Sequence, residues 1–193
     1  MNIEKYEVYT DGACANNQAA GGQPGGWGAV FLDGRQFSGG EISTTNNRME
    51  LTAAIEALKN TPKGSKVKIY SDSAYLINAF QQNWLKSWIK KGWITSQGKP
   101  VENQDLWKRL LPLVEERVVE WEKVKGHSGN KWNEMADQLA VAAIPSSKSP
   151  KSEKIDKKKT ITLSYQNYEL LVDTIQKLAD KDERFQYLYQ EIK

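Results

Sequence analysis

Sulfur and imidazole chemistry are almost missing from this chain: one cysteine, Cys14, and one histidine, His127, stand in 193 residues. A single cysteine excludes an internal disulfide framework, and with a single histidine it also excludes a thiolate zinc site. Any metal must therefore be held by oxygen. Long apolar runs are missing too, since stretches such as AVAAI (140–144) fall far short of the roughly 20 residues that a membrane span needs. No basic-then-apolar leader opens the sequence, so a cytoplasmic protein with no membrane partner is expected. The net charge of +3 is too small to specify a nucleic-acid partner by itself.

What is present argues for a folded chain. Hydrophobic residues make up 39% and there are seven tryptophans. A length of 193 residues holds one full globular domain plus something small.

The opening KYEVYTDG alternates and reads as a strand ending at Asp11. GWGAVFLDGRQFSGGEI reads as a hairpin with a two-residue turn at Asp33-Gly34. From Asn46 the period becomes helical, with Met49, Leu51, Ala54, Ile55 and Leu58 apolar. KVKIYSDS predicts a strand ending near Asp72, followed by a helix through AYLINAF. A helix over Asp105 to about Glu116, a strand at VVEWEKV and a last helix ending near Ile144 complete the unit. Asn133 or Ser128 would cap that last helix, whose apolar stripe is Met135, Ala136, Leu139 and Ala140. This order is an α/β arrangement around a mixed sheet.

Past Ile144 the sequence PSSKSPKSEKIDKKK is polar, lysine-rich and broken by two prolines, as in a flexible linker. Beyond it Tyr165, Tyr168, Val172, Ile175 and Ala179 recur at helical spacing, widened by Leu171 and Leu178. Phe185, Leu188, Tyr189 and Ile192 begin a second stripe. The expected organisation is a main α/β domain over 1–144, a linker over 145–159 and a small helical C-terminal module over 160–193. That module would pack on the domain, on its own copy or on a protein partner.

Local charge is more informative than net charge. WLKSWIKKGWITSQGK (84–99) carries four lysines, three tryptophans and no acidic residue. Lysines interleaved with flat aromatics suit a nucleic-acid backbone, although an ordinary amphipathic helix with a solvated lysine face has the same pattern. Four carboxylates also stand out: Asp11 and Asp72 at strand ends, Glu50 on a helix, and Asp137 on the last helix. Each alone has an ordinary explanation as a turn, cap or surface residue. Together they form the oxygen-rich set that Mg²⁺ or Mn²⁺ prefers.

The motifs YTDG (9–12), TTNNRMEL (44–51), YSDS (70–73) and GHSGNKWNEMADQLA (126–140), in that order, closely resemble type 1 ribonuclease H. The likeness spans roughly residues 3–144, and it implies a ribonuclease H-like mixed five-stranded sheet flanked by helices. It implies an endonuclease that hydrolyses the RNA strand of RNA/DNA hybrids and leaves 5′-phosphate and 3′-hydroxyl ends. By resemblance, Asp11, Glu50, Asp72 and Asp137 would hold two Mg²⁺ ions, with Mn²⁺ as a substitute. Asp11 would bridge both ions, with Glu50 and Asp72 on one side and Asp137 on the other. His127 matches the family's mobile histidine, which assists proton movement and product release. Asn17, Asn46 and Asn47 match residues that reach the minor groove, where 2′-hydroxyls mark the RNA strand. Thr45 and Asn103 resemble a pocket for a DNA phosphate. Residues 84–99, with Trp84, Lys90 and Lys91, resemble the family's basic protrusion, and Tyr75 and Trp88 would lie against DNA sugars. Two other outcomes fit less well: a related-fold DNA nuclease of integrase or resolvase type, and a hybrid-binding protein without catalysis. The C-terminal extension departs from the family pattern.

Overall fold

A computed structural model of the chain describes residues 3–15, 22–126 and 128–145, and in the tail Val172, Thr174, Gln176 and Lys177. The chain divides into two compact units, Met1–Ser147 and Lys148–Lys193. In the second unit the four described residues are helical, with Val172 half-buried and Thr174, Gln176 and Lys177 exposed. The other expected stripe residues of the tail lie outside the described residues.

The first unit is a five-stranded sheet in the order β3-β2-β1-β4-β5, formed by β1 (Lys5–Cys14), β2 (Gln23–Phe31), β3 (Gln36–Thr44), β4 (Lys66–Ser71) and β5 (Val118–Lys123). β1 pairs antiparallel with β2 but parallel with β4, which in turn pairs parallel with β5. The sheet is therefore mixed, as expected. Five helices accompany it: α1 (Asn46–Lys59), α2 (Ala74–Gln81), α3 (Trp84–Lys90), α4 (Gln104–Glu115) and α5 (Lys131–Ala142).

Three local expectations need correction. β1 does not end at Asp11 but continues to Cys14, because Gly12, Ala13 and Cys14 keep partners in β2 at Trp27, Gly26 and Gly25. Asp11 thus projects from within a paired strand, where its backbone cannot drift. The β2-β3 hairpin is longer than a two-residue turn: Phe31 N–H donates to Arg35 O at 2.9 Å across Leu32, Asp33 and Gly34, with Gly34 at φ +96° in the left-handed region. Arg35 grips Asp33 through two nitrogens and Asn60 O through a third, which stiffens this connection. Finally, neither Ser128 nor Asn133 caps α5. Asn130 does, its side-chain oxygen accepting from Trp132 and Asn133 N–H at 3.1 and 3.3 Å.

The main core packs Val8, Phe31, Leu51, Ile55, Leu58, Ile69 and Leu76 with Trp107 and Leu110 of α4. The opposite face carries a smaller cluster of Tyr9, Val30 and Ala136 under α5. Small residues set that packing: a Cβ on Gly28 would strike Ala136 O and Leu139, and one on Gly26 would strike Ala140 O. Glycine at both positions lets α5 lie close on β2 and brings Asp137 to the level of Asp11, which pairs directly with Gly28.

Candidate active site

Each carboxylate arrives on a different element. Asp11 stands on β1, Glu50 on the second turn of α1, Asp72 immediately after β4, and Asp137 on α5. Gly12 explains how the first two meet, since a Cβ there would collide with the Glu50 amide and with Met49. β1 and α1 can approach this closely only with glycine at position 12. One oxygen from each of Asp11, Glu50 and Asp72 lies within 4.8 Å of the others. Asp137 is not part of that tight set, but lines the same cleft of ≈ 480 Å³ with Gly12, Cys14, Asn46, Asn47 and Tyr75.

The electrostatics are severe. Asp11 is 6% exposed and Glu50 is 4% exposed. Burial first, then the charges of Asp72 and Asp137, push the Asp11 carboxyl up to about 7, although the Gly12 N–H donates to its Oδ1 at 2.7 Å and opposes the shift. Burial and the neighbouring charges of Asp11 and Asp72 also hold the Glu50 carboxyl well above its usual range. Asn46 donates to Glu50 Oε1 at 3.4 Å, while Glu50 Oε2 is buried without a hydrogen-bond partner among the described residues. A buried carboxylate oxygen left unpaired beside two like charges is costly unless a cation completes it. All donors are hard oxygens, so the set fits a hard divalent ion.

Sequence reasoning overlooked two features of this site. Gly126, immediately before His127, lies so close to Asp72 that a Cβ would sit 2.5 Å from Oδ2. The loop is tied there by the Val124 N–H, which donates to Ser71 O at 3.1 Å. The other feature is Cys14, whose thiol lines the cleft and is pushed up by burial and by Glu50. Only the glycine beside the lone histidine was a visible signal in advance. His127 and Asn17 themselves lie outside the described residues.

The expected substrate residues do not all gather in one place. Asn46, Asn47 and Tyr75 line the carboxylate cleft. Tyr75 and Trp88 line a second groove of ≈ 420 Å³ with Thr95, Lys99 and Glu102. Trp84, Lys90 and Lys91 line neither: Trp84 packs half-buried against Trp88 with ring centroids 6.0 Å apart, and both lysines are exposed. Thr45 has a structural duty as the cap of α1, its hydroxyl accepting from Arg48 N–H at 3.4 Å. Asn103 sits just before α4 with φ 57° and meets Arg48 and Tyr75. Lys86, Lys90, Lys91 and Lys99 make no ion pair with a described residue, so their charges are available to an external anion.

Comparison with known proteins agrees with this geometry. The family model described as RNase H matches residues 3–145. A ribonuclease H of Moorella thermoacetica is 52% identical over 145 residues, covering 74% of this chain and 93% of that protein. A ribonuclease H of Syntrophomonas wolfei is 54% identical over 149 residues, covering 75% of this chain and 99% of its own length. Among solved structures, the crystal structure of LC9-RNase H1, a type 1 RNase H with the type 2 active-site motif, superposes with TM-score 0.66 at 32% identity, covering 75% of this chain and 74% of that one. The foamy viral protease-reverse transcriptase in complex with dsDNA shares the fold, with TM-score 0.56 at 22% identity, over 72% of this chain and 93% of that one. The family match spans the whole described sheet with all five helices, and no described helix is long and apolar enough to cross a membrane. The sheet, the cleft and the relatives agree on one conclusion: this chain belongs to the type 1 ribonuclease H family.

Proposed function

We infer that this chain is a metal-dependent endonuclease that hydrolyses the RNA strand of RNA/DNA hybrids, with 5′-phosphate and 3′-hydroxyl products. One observation carries the inference: Asp11, Glu50 and Asp72 converge within 4.8 Å in a cleft that Asp137 also lines. Asp11, whose carboxyl feels the charges of both Asp72 and Asp137, would share in holding both ions, Glu50 and Asp72 helping to hold one and Asp137 the other. Mg²⁺ is the expected ion and Mn²⁺ an alternative, both being satisfied by carboxylates and water. Bound there, two such ions would supply charge stabilisation to the attacking and leaving oxygens of an in-line phosphoryl displacement.

The protein's own part is positioning. Asn46 and Asn47, beside the carboxylates, suit hydrogen bonding in the minor groove, with Asn17 as a third such residue. Thr45 and Asn103 would hold a DNA phosphate, and Tyr75 and Trp88 would pack on DNA sugars. Trp84 supports Trp88 from within the protrusion, where Lys90 and Lys91 would neutralise phosphates. His127 would move protons and speed product release, a task suited to a group that titrates near neutrality. Residues 160–193 are proposed as a contact for a protein partner or a second copy.

Incubation with Mg²⁺ and uniformly labelled hybrid, duplex DNA or duplex RNA tests this function. RNA cleavage in the hybrid alone is expected. Cleavage of DNA alone would point to an integrase or resolvase activity, and binding without cleavage to a hybrid-binding protein.

A further inference from the structure

Arg48 lies two residues before Glu50 on α1, yet its guanidinium reaches away to the start of α4. There it forms a two-pronged ion pair with Asp105, at 2.9 and 2.7 Å, and its Nη1 also donates to Asn103 Oδ1 at 3.5 Å. On the other side, Asn103 Nδ2 donates to the Tyr75 hydroxyl at 3.4 Å. That hydroxyl accepts from Trp107 Nε1 at 3.0 Å and donates its one proton to Glu102 O at 3.1 Å.

These contacts determine which way round the Asn103 amide sits. A guanidinium only donates, so the amide must turn its oxygen toward Arg48. The Tyr75 hydroxyl has committed its proton to Glu102 O and can only accept from Asn103, so the amide must turn its nitrogen that way. Both neighbours demand the same orientation. One Nδ2 hydrogen is engaged by Tyr75, which leaves the second for an external acceptor. The opposite orientation would present a carbonyl oxygen to a phosphate and repel it.

We propose that Arg48, anchored by Asp105, is a positioning residue that fixes the direction of the Asn103 amide so that its NH₂ group faces the nucleic acid. The proposal rests on Asn103 being a DNA-phosphate contact. Stability is not its main purpose, because the Arg48 and Asp105 side chains are 29% and 57% exposed, and exposed pairs contribute little to folding. What the two-pronged geometry supplies is direction.

The test compares wild type with Arg48→Met, Asp105→Asn, Asn103→Gly and the Arg48→Met/Asn103→Gly double variant, reading kcat and KM on hybrid and hybrid affinity by anisotropy. Methionine keeps much of the aliphatic stem, glycine tolerates the left-handed backbone at 103, and Asp105→Asn is a surface change that guards against misfolding. Arg48→Met and Asp105→Asn should each raise KM by about three- to tenfold, with kcat within about twofold of wild type. Adding Arg48→Met to Asn103→Gly should raise it no further. Equal effects of Arg48→Met with and without Asn103 would overturn the proposal, because Arg48 would then touch the phosphate itself. An unchanged KM in both Arg48→Met and Asp105→Asn would also overturn it. If Asn103→Gly alone leaves KM and affinity unchanged, the phosphate assignment fails and the proposal with it, while cleavage of hybrid by all variants would leave the enzymatic activity standing.

Discussion

The carboxylate cleft and the lysine protrusion are opposites in how they carry charge. In the cleft, like charges are buried and crowded, with Asp11 and Glu50 at 6% and 4% exposure and Glu50 Oε2 unpaired. In the protrusion, Lys86, Lys90, Lys91 and Lys99 are exposed and spread over one helix and the loop that follows it. Buried like charges must be neutralised by a proton or by a bound cation, which makes the cleft demanding about which groups stand in it. Exposed lysines remain hydrated when nothing is bound, so a protrusion of this kind would act on phosphates through summed attraction, each lysine being partly replaceable. On the proposed function, chemistry belongs to the first region and grip to the second.

Five experiments would sharpen or break this contrast. The largest effect is expected from Asp11→Asn, which should lower turnover about 10³-fold or more while hybrid binding persists, because a neutral amide cannot bridge two divalent ions. Hybrid cleavage by this variant at the wild-type rate would refute the metal assignment.

The pH dependence of stability comes next. The Asp11 carboxyl is raised from 3.8 to about 7, so the metal-free fold favours its protonated form. Below pH 3.8 the group is protonated whether the chain is folded or not, and it does not penalise the fold. As pH climbs from there toward 7, the unfolded chain ionises first, and the metal-free protein should lose stability across that window. Mg²⁺ should raise the Tm more at pH 8 than at pH 5, and Asp11→Asn should weaken both trends. Thermal melts with and without Mg²⁺ across pH decide this, and a Mg²⁺ effect independent of pH would contradict it.

For His127→Ala a reduction in turnover of about 10- to 100-fold is expected, with the metal requirement unchanged, since the role proposed for it, proton movement and release, leaves the metal ligands in place. Single-turnover and steady-state rates separate the two steps. A loss as deep as that of Asp11→Asn would place His127 among the essential groups. The smallest effect should come from the lysines and the tail. Lys90→Ala with Lys91→Ala should weaken hybrid binding at low salt and flatten its salt dependence by about two units, with kcat retained. Truncation after Ile144 should leave cleavage intact with weaker low-salt binding, because residues 148–159 add six lysines against Glu153 and Asp156. An insoluble truncated chain would show that the boundary at 144 is misplaced.

Much of the local structure was legible because its signals are short in range. The helical period from Asn46 appears as α1, and KVKIYSDS, AYLINAF and VVEWEKV appear as β4, α2 and β5. The failures were at ends. β1 runs past Asp11 because pairing with β2, not alternation within β1, sets its length. Asn130 caps α5 in preference to Ser128 because it immediately precedes Lys131, where its side-chain oxygen reaches the Trp132 and Asn133 N–H groups. The four carboxylates could be picked out by type and place, whereas nothing local marks Arg48, whose partners lie 55 and 57 residues away.

From sequence alone came the oxygen-only metal chemistry, the order of elements and the four motifs, since composition and periodicity are properties of the chain itself. Only tertiary structure decided that Asp11, Glu50 and Asp72 share one point with Asp137 nearby, that Gly12, Gly26 and Gly28 permit that approach, and that Asn103 is held one way round. Those features depend on distances between elements far apart in the chain. Pairing and close packing fix such distances, and no local pattern of residues encodes them.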